Sequence, residues 1–120
     1  MTSPKTDIVF VEDYQFWWDV IARVPVDSTF VEQPFEARFK LATDEALFPE
    51  HEGEPTIAQM IEHEVATLRR HIVSLRGIVA GDGASGQALI EKLLATPPYR
   101  KALSAALLEA HTGGKARAGN

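Results

Sequence analysis

Two stretches of alternating residues, 16–24 and 30–41, constrain the fold of this chain most strongly. In the first stretch one parity is entirely apolar and the other is mixed; the apolar set is Phe16, Trp18, Val20, Ala22 and Val24. Because side chains of a strand alternate between two faces, this period of two predicts a strand with one buried face. The neighbouring tryptophans Trp17 and Trp18 should then point to opposite faces of a sheet.

The second stretch, 30–41, alternates in the same way. One side carries Val31, Phe35, Ala37, Phe39 and Leu41, and the other carries Phe30, Glu32, Glu36, Arg38 and Lys40. The turn-forming residues PVDST at 25–29 separate the two stretches, so the pattern predicts a β-hairpin. Pro34 cannot donate a hydrogen bond to a ladder and indicates an edge position or a bulge. The β-branched run DIVFV at 7–11 is a candidate for a third strand.

Helical spacing replaces the alternation after residue 42. Thr43 or Asp44 can cap a short helix that ends at Leu47. Thr56, followed by Gln59 three residues later, has the signature of a capping box. Apolar residues then recur at steps of three and four, namely Ile57, Ile61, Val65, Leu68, Ile72, Leu75 and Val79. This spacing predicts one amphipathic helix of about six turns, ended by the GDG sequence at 81–83.

Two more helices are predicted in the remaining chain. Ser85 is the expected cap of a third helix, whose apolar face is Leu89, Ile90, Leu93 and Leu94. Pro97 and Pro98 suit the first turn of a fourth helix, which Gly113 should end. Residues 115–120 form a small basic tail with nothing to bury, and we expect this tail to be disordered.

The predicted fold class is therefore α+β, with an N-terminal β-hairpin, or three strands, followed by a bundle of three to four α-helices. We expect a single domain over residues 1–120, divided into a hairpin region (1–42), a helical region (43–112) and a flexible basic tail (113–120). Hydrophobic residues make up 45 % of the chain, which is enough to build a core.

Composition narrows the classes of function. The formal net charge of −5 disfavours generic nucleic-acid binding, which needs clustered Lys and Arg. The chain has no cysteine, which excludes disulfides and thiolate zinc sites. No run approaches the roughly 18 apolar residues of a membrane span, and the N-terminus lacks a signal-peptide core. We therefore expect a soluble cytoplasmic protein.

The residues that could carry chemistry form no recognisable motif. His63 and Glu64 begin the zinc-protease pattern, but its second histidine is replaced by Thr67. His63 and His71 are eight residues apart, roughly 12 Å along a helix, which is too far for one ion. We expect no catalytic residue, no metal and no cofactor; a small metal-dependent hydrolase built on these histidines and nearby glutamates is a minor alternative. The basic pairs at 69–70 and 100–101 are interpreted as solvent-exposed charges.

The side of the hairpin opposite the predicted core is the candidate site. Trp17, Ile21 and Phe30 project from this side, and large aromatic residues dominate the energetics of protein interfaces. Two interpretations remain open at this point. The three residues form a protein-binding surface, or another segment, such as residues 7–11 or a helix, covers them.

Three stretches resemble the small tail assembly chaperones of long-tailed bacteriophages and prophages. They are FVEQPFEARFKLATDEAL (30–47), HIVSLRGIVAGDG (71–83) and ALIEKLLATPPYRKALSAALLEAHTGGKARAGN (88–120). Relatives have a similar strand phrase before an acidic helix, then a helix closed by a glycine turn, and an Ala-rich final helix before a Gly, Lys and Arg tail. The order and spacing of these features cover most of the chain.

The resemblance implies a function without catalysis. Such chaperones bind and solubilise the tape measure protein, help to recruit tail tube subunits, and leave before the tail is finished. It implies the tape measure protein and the major tail tube protein as partners, with homo-oligomerisation in some relatives, in the cytoplasm of a bacterial host and not in the mature virion. The alternative is a small structural subunit of the tail or of the head–tail connector.

Overall fold

The computed structural model describes residues 6–113, which form a three-stranded antiparallel sheet and four helices. In chain order the elements are β1 (Gln15–Val26), β2 (Thr29–Lys40), α1 (Asp44–Leu47), α2 (Ile57–His71), β3 (Ile72–Arg76), α3 (Gln87–Leu94) and α4 (Pro97–Thr112). The strand order is β1-β2-β3. The predicted α+β class, with an N-terminal hairpin followed by helices, is confirmed.

The hairpin is longer and its turn tighter than predicted. Val26 pairs with Thr29, so only Asp27 and Ser28 form the turn. Asp27 adopts a φ of 53°, in the left-handed region that aspartate tolerates better than most residues. Pro25, expected in the turn, lies on β1 opposite Phe30. Proline is acceptable there because β1 is an edge strand.

The predicted helix over 57–79 is wrong after residue 71. Helix α2 ends at His71, and the next five residues form β3, which pairs with Glu36–Phe39 of β2. Ser74 is opposite Arg38, but Ile72 is opposite Phe39, so Val73 is an extra residue that forms a bulge. The bulge turns Ile72 and Leu75, three residues apart, toward the same core. The bulge therefore gives a strand the three-residue apolar spacing that is typical of a helix.

The third strand is β3 and not residues 7–11. Those residues form no strand, and Ile8, Val9 and Phe10 are 97 %, 81 % and 77 % exposed. β3 occupies the edge of the sheet next to β2, on the side away from β1.

Apart from the end of α2, the predicted helix ends are confirmed with one further exception. Thr43 caps α1, accepting a hydrogen bond from the Ala46 amide at 3.3 Å, and Thr56 with Gln59 forms the capping box of α2. Helix α4 begins at Pro97 and ends at Gly113, where φ is 69°. The predicted Ser85 cap is wrong, because α3 begins after Gly86, whose φ of 57° suits glycine and which makes no side-chain cap. The predicted basic tail lies outside the described residues from 114 onward.

The core lies between one face of the sheet and the helices. Its buried members are Val20, Ala22, Phe35, Ala37, Phe39, Leu68, Ile72, Leu89, Ile90, Leu93, Leu94, Leu103, Ala106 and Leu107. The C-terminal end of α4 is fixed beside the end of β2 by His111. Its Nε2 accepts a hydrogen bond from the Ala42 amide at 2.8 Å, and its Nδ1–H donates to the Leu107 carbonyl at 2.8 Å.

Arg100 also fixes α4, which corrects its interpretation as a solvent-exposed charge. Its side chain is buried and donates to the Glu64 carboxylate at 2.9 Å and to the Leu94 carbonyl at 3.1 Å. One guanidinium therefore ties α4 to α2 and to the end of α3. Its neighbour Lys101 is exposed, as predicted.

The hairpin is longer than the helix that covers it. Near its start α4 meets the hairpin where the Tyr99 hydroxyl donates to Gln33 Oε1 at 2.7 Å, and at its end His111 contacts Ala42. A helix of 16 residues is about 24 Å long, whereas a strand of 12 residues is about 40 Å long. The hairpin must therefore extend about 15 Å beyond the helix. We refer to this part, residues 23–32, as the hairpin overhang.

Candidate protein-binding surface

Trp17, Ile21 and Phe30 all lie on the face of the sheet opposite the helices, here the outer face. In the register of the hairpin, Trp17 is opposite Arg38, Ile21 is opposite Pro34, and Phe30 is opposite Pro25. Residues of the other parity, such as Val20 and Phe35, enter the core. The strand pairing thus confirms which side of the sheet the three predicted residues occupy.

Trp17 is half-buried beneath an arginine rather than beneath residues 7–11. The Arg76 guanidinium carbon lies 4.0 Å from the centre of the Trp17 ring, within the range of a cation–π contact. The guanidinium of Arg38 lies 6.0 Å from the same ring. The side chains of two strands therefore cover part of this tryptophan, which is less available to a partner than the sequence alone predicts.

Arg76 is held over Trp17 by Glu36 of β2. Nε and Nη2 of Arg76 donate to the two carboxylate oxygens of Glu36 at 2.8 Å and 3.1 Å. These hydrogen bonds lower the pKa of Glu36 and raise that of Arg76, against a smaller opposing effect of burial on each. Both side chains remain partly exposed, so the pair serves more to orient Arg76 than to stabilise the fold.

Ile21 and Phe30 are the more accessible members of the predicted site. Their side chains are 50 % and 56 % exposed, and the Arg23 guanidinium lies 4.8 Å from the centre of the Phe30 ring. Trp17 and Phe30 are about eight strand positions apart, roughly 26 Å. The predicted trio is therefore a row along the outer face rather than one compact cluster, and only Phe30 belongs to the hairpin overhang.

The opposite face of the overhang is apolar, as the alternation predicts, but it is exposed where the sequence predicts a buried face. Val26 and Val31 are each 44 % exposed, and Val24 is half-buried. These residues continue the apolar parity of the core strands past the start of α4. The lengths of the hairpin and of the last helix could have predicted this exposure, because a hairpin of this length must extend beyond a 16-residue helix lying along it.

A second apolar surface lies at the start of α2. Ile57, Met60 and Ile61 are 72 %, 49 % and 40 % exposed. The buried side of the helix is further along, at Leu68 and His71. The first turns of α2 therefore display apolar side chains to solvent.

Trp18 lies on the core side of the sheet and helps to attach α4. Its Nε1–H donates to Glu109 Oε1 at 3.2 Å, and its ring makes an edge-to-face contact with Phe16. The FWWDV sequence thus divides its two tryptophan rings between the faces of one strand. One ring packs toward α4, and the other supports Arg76.

His63 and His71 make local contacts within α2. His63 Nε2 lies 3.1 Å from Thr67 Oγ1, and the buried His71 donates from Nδ1 to the Thr67 carbonyl at 2.7 Å. His63 borders a cavity of about 200 Å³ between α1, α2 and α4. Among residues 6–113, no three His, Asp or Glu side chains converge as metal ligands would.

No protein-family model, no curated protein and no solved structure matches this chain. In the part of the chain that the structure describes, no helix is both long enough and apolar enough to cross a membrane.

Proposed function

We propose that this chain is a non-catalytic tail assembly chaperone of a long-tailed bacteriophage or prophage. In this proposal it binds and solubilises the tape measure protein and helps to recruit tail tube subunits. The observation that carries the proposal is the hairpin overhang, which exposes apolar side chains on both faces. The resemblance of residues 30–47, 71–83 and 88–120 to such chaperones supplies the identity of the client.

The overhang suits a long apolar helix as its client. An extended protein of that kind exposes apolar stripes that aggregate unless another apolar surface covers them. Phe30 on one face and Val26 and Val31 on the other can cover such a stripe while the helices of the chaperone stay folded beneath the other half of the hairpin. Ile21 extends this surface toward the body of the domain.

Charge favours the same role. The net charge of −5 keeps a protein with exposed apolar surface soluble and opposes its own aggregation. Arg23 and Glu32 face each other across the overhang beside Phe30. They form a polar rim around the apolar contact, as is usual at protein interfaces.

The first turns of α2 provide a second contact surface in this proposal. Ile57, Met60 and Ile61 form a short apolar stripe that another helix can pack against. A client with many repeated apolar stripes can engage the overhang and this stripe together, which raises the apparent affinity without demanding a specific sequence.

Co-expression with the tape measure protein tests the proposal. The client is the long helical protein encoded in the same tail gene cluster, and the measurement is the fraction of it that remains soluble and co-purifies with this chain. We expect the client to be insoluble alone and soluble in the complex. A client that stays insoluble beside a folded, abundant chain would contradict the proposal.

The second candidate is a small structural subunit of the tail or of the head–tail connector. The exposed residues 7–11 and the edge position of β1 favour it, because permanent assemblies commonly use such strands. Purified virions separate the two candidates. A structural subunit is present in them at a fixed ratio to the other tail proteins, whereas a chaperone is absent.

A further inference from the structure

We propose that residues 7–11 of one copy of this chain add as a strand to the outer edge of β1 in a second copy. This inference concerns a site apart from the hairpin overhang and goes beyond the proposed client-binding function. Two independent features of the molecule lead to it: an exposed strand-forming segment and an open sheet edge.

The exposed segment has the composition of a strand but pairs with no strand among residues 6–113. Its sequence is DIVFV, in which four consecutive residues are β-branched or aromatic. Ile8 is 97 % exposed, Val9 81 % and Phe10 77 %. Such exposure of consecutive large apolar side chains is unfavourable in water and marks a contact that an isolated copy does not make.

The open edge belongs to β1. β1 lies at the end of the sheet, and within residues 6–113 only β2 pairs with it. A cleft of about 130 Å³ runs between this edge and α4, lined by Asp19, Ile21, Ala102, Ala105, Ala106 and Glu109. The three alanines leave room for the backbone and side chains of an added strand.

The segment of the same copy points away from this edge. Phe10 and Glu12 border a cavity together with residues 41–43, which follow β2. The carbonyl of Tyr14 accepts a hydrogen bond from the Leu41 amide at 2.9 Å, and its amide donates to the Val11 carbonyl at 3.2 Å. This turn directs the segment to the β2 side of β1. Because Phe10 and Glu12 of the same copy lie beside residues 41–43, away from the outer edge of β1, we infer that a second copy supplies the added strand.

The segment fits the edge in length and in pattern. Five residues extend about 17 Å, less than half of the roughly 40 Å of β1. In an added strand, Ile8 and Phe10 lie on one face and Val9 and Val11 on the other. Either register therefore places two apolar side chains over the alanines of α4 and two beside Ile21. The new ladder also satisfies backbone groups at the edge of β1.

Size-exclusion chromatography with light scattering tests the inference on the full chain and on the variants Val9→Pro and Val9→Ile. Proline removes an amide donor and disfavours pairing, whereas isoleucine keeps a β-branched side chain. We expect the parent chain and Val9→Ile to associate and Val9→Pro to be monomeric. Because Val9 is exposed, the fold of the monomer should survive. A monomeric parent chain, or association that Val9→Pro leaves intact, would overturn the inference.

Disulfide trapping locates the contact, since the chain has no cysteine of its own. Val9→Cys protein is mixed with Asp19→Cys or Ile21→Cys protein, both from β1 residues that line the cleft at its outer edge, and in a control with Ser85→Cys protein from the exposed loop before α3. We expect mixed disulfides with a β1 position and not with residue 85. Equal trapping at all positions would reject the edge of β1 as the site.

The client-binding proposal and the strand-addition proposal can be tested independently of each other. Val9→Pro should still bind the client if the overhang is the client site, and Phe30→Ser should still self-associate. Loss of self-association without loss of client binding therefore concerns only the strand-addition site.

Discussion

The Arg76 guanidinium carbon lies 4.0 Å from the centre of the Trp17 ring, although the two residues belong to strands that do not pair with each other. Glu36, on the strand between them, holds the guanidinium with two hydrogen bonds. One stack thus connects all three strands across the outer face. The two neighbouring tryptophans thus have separate roles: Trp17 forms this stack on the outer face, and Trp18 contacts Glu109 on the core face.

Replacing Arg76 by alanine should expose Trp17. We expect its fluorescence to shift to longer wavelength and to become more accessible to a neutral quencher, and the variant to be less stable than the parent. Arg69→Ala is the matched control, because Arg69 has similar exposure and also binds a carboxylate, that of Glu91, through two hydrogen bonds. Equal fluorescence changes in the two variants would contradict a specific Arg76–Trp17 stack.

The buried Arg100 should be far more sensitive to substitution than its neighbour Lys101. Arg100→Ala removes a half-buried ion pair with Glu64 and leaves the Leu94 carbonyl without this donor. We expect the free energy of unfolding to fall by about 3 kcal/mol. Lys101→Ala, on the exposed side of the same turn, should change it by less than about 0.5 kcal/mol. Urea unfolding of the two variants measures the difference, and similar midpoints would show that Arg100 is not a structural tie.

Low pH should remove the contribution of the Arg69–Glu91 ion pair to the stability of the fold. Hydrogen bonds from Arg69 lower the pKa of Glu91 from 4.5 to about 2 in the folded protein. A carboxyl with a lowered folded pKa stabilises the fold above its unfolded pKa, and this contribution disappears as the pH falls from about 4.5 toward about 2. Because both side chains are exposed to solvent, the effect should stay below about 1 kcal/mol.

Unfolding of a Glu91→Gln variant at a series of pH values checks this expectation. The parent should have the larger free energy of unfolding near neutral pH. The difference from the variant should become smaller as the pH falls through the acid range. Glu62→Gln, at an exposed position of α2, serves as the control. A gap that does not depend on pH would show that the carboxylate of Glu91 is not the source of the difference.

The local signals in the sequence predicted the hairpin and most helix ends. Thr56 and Gln59 form a capping box because the residues that make it lie within one turn, and Pro97 and Gly113 act on their own backbone. The alternation of residues 16–24 was reliable for a similar reason, since one buried face of the sheet selects one parity. These features depend on neighbours close in sequence.

The errors arose where distant residues decide the structure. Ile72 and Leu75 have helical spacing, but pairing with β2 and a bulge at Val73 place them in a strand. Arg100 resembles a surface charge until Glu64, 36 residues earlier, is found beside it. The covering of Trp17 by Arg76 likewise depends on β3, whose apolar spacing predicts a helix instead. For the candidate site, the outer face was therefore predictable, but the accessibility of each residue on it was not.

The soluble fraction of the tape measure protein, co-expressed with Phe30→Ser or with Phe48→Ser, tests the central claim most directly. The two phenylalanines are 56 % and 54 % exposed, but only Phe30 lies on the hairpin overhang. We expect Phe30→Ser to lose most of the soluble, co-purifying client, because a buried aromatic anchor contributes on the order of 2 kcal/mol or more to binding. Phe48→Ser should retain it. Equal recovery of the client with both folded variants would contradict the overhang as the client-binding surface.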